Sequence, residues 1–184
     1  MLAVNDLQIG ILGGGQLGRM LLQKAADFDL NISVLDPDPN APCRYLVKDF
    51  VCGNFNDFST VYEFGKKCHI LTIEIEHVNT DALEKLAAEG VLIYPQPDII
   101  KMVQDKGDQK LFYHLHGIPT AAFELVNAKT EISRSYPFIM KTRKGGYDGK
   151  GVVKINDPAE LAEKGFDAPC VIEELIPFEK EIAV

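Results

Sequence analysis

No CxxC pair occurs in this sequence: its four cysteines, Cys43, Cys52, Cys68 and Cys170, are scattered. That excludes a disulfide-stapled scaffold and fits single thiols kept reduced in a cytosol. The four histidines and four cysteines do not supply the clustered ligand set of a zinc site. Positive charge is in deficit, with 19 basic against 27 acidic residues and a formal net charge of -8. A general nucleic-acid or membrane-surface binder is excluded, because a polyanion would be repelled. A small phosphorylated ligand is not excluded, since it needs only a few local cations. Residues 1–7 hold no basic cluster leading into an apolar run, and no stretch approaches the roughly 20 apolar residues of a membrane span. The expectation is a cytoplasmic protein with no membrane or nucleic-acid partner.

What is present is the composition of an ordinary globular chain: 184 residues, 46% hydrophobic and 25% charged. At this length folding buries roughly 70% of the surface of the unfolded chain, enough for a core without staples. Short apolar runs alternate with amphipathic segments through the first hundred residues, the pattern of a parallel sheet flanked by helices. Strands are expected at 9–12, 32–35, 50–52, 70–73 and 91–94, and a helix at 59–67. After the first glycines Leu17, Met20, Leu21 and Ala25 recur at helical spacing and are expected to face the sheet. Asp81 with Glu84 suggests a helix start, and Gly90 its stop. The fold class is therefore α/β, with a doubly wound, Rossmann-like first domain over residues 1–97.

Beyond Pro97 the pattern changes to a small α+β unit over 98–184. Residues 98–116 are mostly helical by pattern, closed by Gly117 and Pro119. Strands follow at 122–126, 138–141, 152–155 and 171–174, with a glycine-rich loop at 145–151. Asp157, Pro158 and Glu160 form a helix N-terminus. Residues 181–184 look like the start of another strand without a closing turn, so the chain is expected to be a fragment of a longer protein.

Four segments could carry chemistry. Gly13-Gly14-Gly15-Gln16-Leu17-Gly18 stands between a strand and a helix, where backbone N–H groups can hold phosphate, or where the chain simply turns tightly and binds nothing. Arg19 adds a cation, and Asp36, ending the second strand, stands where dinucleotide-binding proteins place a ribose acid. Glu74-Ile75-Glu76-His77 follows a strand, and if that strand continues both carboxylates share one side. They suit sugar hydroxyls or a cation, or form a solvated acidic loop. The stretch from Lys141 to Gly151 holds four glycines and four cations in eleven residues, a flexible loop suited to closing over phosphates, or an untenanted hairpin. Lys141 ends the apolar run 138–140, so its ammonium should face an anion or a carboxylate. Glu173-Glu174-Leu175-Ile176, ahead of Pro177 and Glu181, can present backbone groups to a purine.

In this order the G-G-G-Q-L-G-R-M, E-I-E-H-V, K-G-G-Y-D-G-K-G and E-E-L-I segments resemble the 5-(carboxyamino)imidazole ribonucleotide synthases of the ATP-grasp superfamily, over about residues 8–184. The resemblance implies a ligase of purine biosynthesis that uses ATP and bicarbonate to carboxylate aminoimidazole ribonucleotide. It implies ATP contacts at Lys106, Lys141, Gly146, Tyr147, Asp148, Gly149, Lys150, Gly151, Glu173, Glu174, Leu175, Ile176 and Glu181. It places the ribonucleotide against Gly15, Gln16, Leu17 and Glu74, with Tyr147, Asp148 and Lys150 closing over it and Asp148 acting on the amine. The family often has arginine where Lys106 stands, and can have it at Lys150, so the charge is kept and the bidentate fork lost. Magnesium ligands are expected beyond Val184, and a homodimer is implied. Rival readings are a formate-dependent glycinamide ribonucleotide transformylase or another ATP-grasp ligase, a nicotinamide-dependent oxidoreductase resting on the G-x-G-x-x-G spacing of residues 13–18 and on Asp36, and a non-catalytic nucleotide-binding module.

Overall fold

The structure, a computed structural model, describes residues 6–146 and 150–182. The chain forms two compact units, Met1–Lys101 and Met102–Val184. Among the described residues of the first, five strands run parallel in the order β3-β2-β1-β4-β5: β1 (Gln8–Leu12), β2 (Asn31–Asp36), β3 (Asp49–Cys52), β4 (Ile70–Ile73) and β5 (Leu92–Tyr94). The helices α1 (Gln16–Ala25), α2 (Phe58–Gly65) and α3 (Thr80–Ala88) lie between them in sequence. Successive strand residues face opposite ways. Leu12 and Leu35 accordingly pack with Val61, Phe64, Leu83 and Leu86 of α2 and α3, whereas Ile11 and Val34 pack with Leu22 and Ala25 of α1. The sheet is thus covered on both faces, the doubly wound arrangement expected.

The phase of α1 differs from expectation. Leu17, Met20 and Leu21 are exposed, Leu17 by 62%, and the buried residues are Gly18, Leu22 and Ala25. Gly18 sets this phase. A Cβ there would stand 2.7 Å from the Gly13 carbonyl oxygen, so the helix can approach the strand only with glycine inward. The start of α3 is capped by Asn79, whose side chain accepts from the Ala82 N–H at 2.9 Å, and not by Asp81. Strand β4 stops at Ile73, so Glu74 and Glu76 sit in bends rather than on one strand face.

In the second unit, four strands among the described residues form an antiparallel sheet in the order β6-β9-β7-β8: β6 (Phe123–Val126), β7 (Phe138–Thr142), β8 (Val152–Ile155) and β9 (Cys170–Glu174). Val126, Phe138, Met140, Ile155, Cys170 and Ile172 form its core, with Leu161 of α6 (Pro158–Lys164) packed against them. The expected helical stretch at 98–116 is two helices, α4 (Pro97–Val103) and α5 (Lys106–Leu115). Asp105 breaks it: its carboxylate accepts from the N–H groups of Gly107 (2.8 Å) and Asp108 (3.3 Å) and starts a new helix. At the C-terminal end Glu181 and Ile182 are exposed and outside any strand, so the expected strand is not present on them.

Candidate active site

In an open parallel sheet, ligands collect at the carboxyl ends of the strands where the strand order reverses. Here that point lies between β1 and β4, and the glycine turn follows the one while Glu74 follows the other. Gly13 has φ +109, which a side chain rarely adopts, and a Cβ there would stand 2.5 Å from Glu74 Oε2. The carboxylate of Glu74 therefore occupies the space that the missing side chain leaves. Burial, then the charges of Asp36 and Glu76, raise its pKa above the ordinary glutamate value.

Asp36 is turned the other way. Its Oδ2 accepts from the Gly14 N–H at 2.6 Å and its Oδ1 from the Asp38 N–H at 2.8 Å, and the residue is 8% exposed. Both oxygens are thus engaged, one in fixing the glycine turn and the other in fixing the loop that follows β2. A ribose acid of a dinucleotide site needs that carboxylate for hydroxyls, so the oxidoreductase reading loses its second support. The chain after the proline cluster returns beneath the same turn, where Cys43 donates its N–H to the Gly14 carbonyl at 3.0 Å. Its thiol is buried, and burial first, then Asp36 and Glu74, push its pKa up and disfavour the reactive thiolate. Gly15 is the N-cap of α1 and makes no side-chain cap, with open space where its Cβ would be. Gln16 and Leu17, the first helical residues, are exposed. An uncapped first turn of this kind offers N–H groups to an anion.

The second unit gathers its cations around two buried carboxylates. Odd-numbered residues of β7 and β9 share one sheet face: Ile139 stands opposite Glu173 and Lys141 opposite Val171. Lys141 and Glu173 are diagonal neighbours on that face and form an ion pair at 2.6 Å. The expectation that Lys141 meets a carboxylate is thereby met by its own chain. Glu173 is 6% exposed, and its other oxygen lies 2.9 Å from Lys110 of α5. Burial opposes its ionisation, but the two ammonium groups, Lys141 ahead of Lys110, outweigh it and hold its pKa below the ordinary value.

A second clasp holds the base of the glycine loop. Arg143 donates to Asp105 at 2.7 Å and to Asp108 at 2.9 Å. Gly107 leaves room for the guanidinium, which a Cβ there would strike. Burial works against the Asp105 charge, and Arg143 and the two helix N–H groups more than offset it, so this carboxyl too lies below its ordinary value. The clasp ties the start of α5 to the end of β7. It places Lys106, the first residue of α5, where its ammonium donates to the Gly146 carbonyl at 3.2 Å while its backbone N–H donates to Arg143. Across the loop base the Thr142 N–H donates to the Gly151 carbonyl at 2.9 Å. Lys150 is exposed in the turn before β8. Tyr147, Asp148 and Gly149, including the expected catalytic group, lie outside the described residues.

Glu174 ends β9 exposed, its N–H donating to the Ala122 carbonyl. Leu175 and Ile176 continue without regular structure, and Glu181 is exposed beyond them. The structure thus joins Lys141 with Glu173, and Lys106 with Gly146. Sequence reasoning missed Lys110 and Asp105, and counted Arg143 only as one of the loop's four cations. The one local signal was Asp105 two residues before Gly107, an N-cap pattern inside an apparent helix.

Against family models, residues 7–104 match the ribonucleotide synthetase preATP-grasp domain. The chain belongs to that family. Residues 111–184 of this preATP-grasp chain match the ATP-grasp domain, in agreement with the resemblance carried by the four motifs. The chain is 38% identical over 187 residues to the chloroplastic phosphoribosylaminoimidazole carboxylase of Vigna aconitifolia, covering 97% of this chain and 34% of that protein. It is 37% identical over 185 residues to N5-carboxyaminoimidazole ribonucleotide synthase of Staphylococcus aureus (strain COL), covering 96% and 49%. Among solved structures, carboxyaminoimidazole ribonucleotide synthase of Aspergillus clavatus complexed with ATP matches with a TM-score of 0.88 at 33% identity, over 96% of this chain and 49% of that one. N5-carboxyaminoimidazole synthase of Aspergillus clavatus in complex with ADP and 5-aminoimidazole ribonucleotide matches at 0.84 and 32%, over 96% and 48%. The chain therefore spans half or less of the length of these relatives.

Proposed function

We propose that this chain is part of a 5-(carboxyamino)imidazole ribonucleotide synthase, an ATP-dependent ligase that carboxylates aminoimidazole ribonucleotide with bicarbonate in purine biosynthesis. The observation that carries the reading is the set of anchored cations in the second unit. Lys141 leaves an apolar strand held by a buried carboxylate, and Lys106 is held against the glycine loop. Relatives bound to ATP, and to ADP with the ribonucleotide, support it.

In this reading bicarbonate attacks the γ-phosphorus of ATP, the bond to ADP breaks, and carboxyphosphate forms. Lys141 and Lys106 meet the negative charge on the transferring phosphate. Carboxyphosphate releases carbon dioxide and phosphate, the ribonucleotide amine attacks the carbon dioxide, and one proton leaves the nitrogen. Asp148 is the group proposed to take that proton, with Tyr147, Gly149, Lys150 and Gly151 closing the loop over the phosphates. Glu173, Glu174, Leu175 and Ile176 form the adenine hinge and Glu181 holds the ribose of ATP. Gly15, Gln16 and Leu17 offer N–H groups to the ribonucleotide, and Glu74 accepts from its hydroxyls.

Among the described residues no group of three or more His, Cys, Asp or Glu fits a metal ion. The magnesium that ATP carries is assigned no ligand among them. No helix among the described residues is long and apolar enough to cross a membrane, and the proposal includes a cytoplasmic homodimer. The test is phosphate release by the intact protein that carries this chain. Release is expected only when ATP, bicarbonate and aminoimidazole ribonucleotide are all present. Equal release with glycinamide ribonucleotide and formate would move the assignment to the transformylase, and reduction of NAD would refute the ligase.

A further inference from the structure

We propose that Lys110 is a positioning residue for ATP: through the carboxylate of Glu173 it holds the Lys141 ammonium where a phosphate is bound. This rests on the ligase reading above and adds to it a residue outside every motif. Lys110 itself is poorly placed to touch a ligand. Its side chain is 13% exposed, and its ammonium is shared among Glu173 Oε1 at 2.9 Å, the Thr120 hydroxyl and the face of Phe123, 5.8 Å from the ring centre. Lys141, by contrast, is 29% exposed, and the partner found for its ammonium is Glu173 Oε2.

The three groups form a chain from the inside outwards. Lys110 on α5 fixes one oxygen of a carboxylate, the carboxylate presents its other oxygen, and that oxygen fixes the long, flexible stem of Lys141. A lysine side chain carries up to about 2 kcal/mol of rotamer entropy. Holding it beforehand removes that cost from ligand binding. Charge works in the same direction. Glu173 with Lys141 alone would be neutral, whereas the second lysine gives the trio a net charge of +1 and so preserves its attraction for a polyphosphate. Glu173 is engaged on both oxygens, so its side chain serves the lysines, and any contact with adenine from this hinge falls to the backbone of the residues that follow.

The discriminating measurement compares ATP with adenosine, which lacks phosphate, by ligand-observed NMR titration of the intact protein. Lys110→Met is expected to weaken ATP about tenfold while adenosine binding stays within about twofold, the loss of one charge-assisted contact felt only by the phosphates. Lys110→Arg, which keeps the cation, should remain within about threefold of the wild type for both. Should Lys110→Met fail to fold because it strands the buried carboxylate, the double variant Lys110→Met/Glu173→Gln removes that charge and is expected to show the same ATP-selective loss. Unchanged ATP affinity in a folded variant overturns the proposal. So does an equal loss for ATP and adenosine, which would mark a general structural role or a contact with the base. A wild-type protein that binds adenosine and ATP equally would instead refute phosphate recognition at Lys141 and the ligase reading with it.

Discussion

Both units keep a glycine-rich turn beside a buried carboxylate, but side-chain cations hold the carboxylates only in the second. In the first unit Asp36 is gripped by backbone N–H groups, and Glu74 sits close to like charge. In the second unit Glu173 is gripped by two side-chain cations, and Asp105 by the Arg143 guanidinium as well as by the Gly107 and Asp108 N–H groups. The difference separates two ways of building an anion site. Backbone donors leave a rigid turn with no mobile charge, suited to a fixed ligand. Carboxylates that anchor long cations leave ammonium groups facing outward, suited to a polyphosphate whose charge changes during a reaction.

The comparison can be broken most forcefully at Asp36. Asp36→Ala leaves the buried Gly14 N–H and the part-buried Asp38 N–H without an acceptor, and is expected to cost about 2 kcal/mol of stability. Amide hydrogen exchange should show the loss in β1 and β2, with β7 and β9 protected as before. Uniform loss through both sheets would show that the two units do not respond separately.

A smaller effect comes from pH, with opposite signs at Glu74 of the first unit and at Asp105 and Glu173 of the second. Glu74 has a raised pKa in the fold, so the native state takes up its proton before the unfolded chain does. As pH falls from neutral, the first unit gains stability through this group, and the gain is complete below the ordinary glutamate value of about 4.3. Asp105 and Glu173 have lowered values. The stability they give the second unit is fully present above about pH 4 to 4.5 and is lost as pH falls towards their folded values. Denaturant midpoints followed by amide signals of Leu35 and of Met140 between pH 7 and pH 3 should therefore diverge. Parallel curves would contradict the electrostatic difference.

The smallest effect tests the phase of α1. Met20→Ser is expected to change stability by no more than about 0.5 kcal/mol, because Met20 is exposed. A loss of 2 to 3 kcal/mol in thermal unfolding, of the order expected for a buried side chain, would restore the helix face expected from sequence.

That misplaced face shows how far local pattern reaches. The strands were legible because apolar runs of four or five residues bounded by turn residues have few other uses, and β4 falls on the expected residues 70–73. The glycine turn was legible as a strand-to-helix join, and Lys141 as a cation in need of a carboxylate. In α1, however, apolar side chains occupy two overlapping faces, Leu17, Met20 and Leu21 against Leu22 and Ala25. The choice between them is made by a contact of Gly18 with the Gly13 carbonyl that no periodicity records. Lys110 with Glu173 and Asp105 with Arg143 were hidden for a related reason. Each pair joins residues far apart in sequence, 63 and 38 positions (173 − 110 and 143 − 105), and only the sheet and α5 bring them together. The inward turn of Asp36 was equally unreadable, since the same residue at the same place serves a ribose in other folds.

The strand order of the first unit also bears on how the chain is made. β1 is the first of these strands to be synthesised and ends in the middle of the sheet. Its Ile9 meets Ile32 after 23 residues (32 − 9) but Ile70 only after 61 (70 − 9). Until the ribosome has extended the chain beyond β4, one edge of this apolar strand has no neighbour, and closing a loop of that length is entropically slow. The same topology that brings the glycine turn beside Glu74 therefore leaves the nascent protein with an unsatisfied strand edge, the form most exposed to wrong pairing, for the whole interval between the two strands.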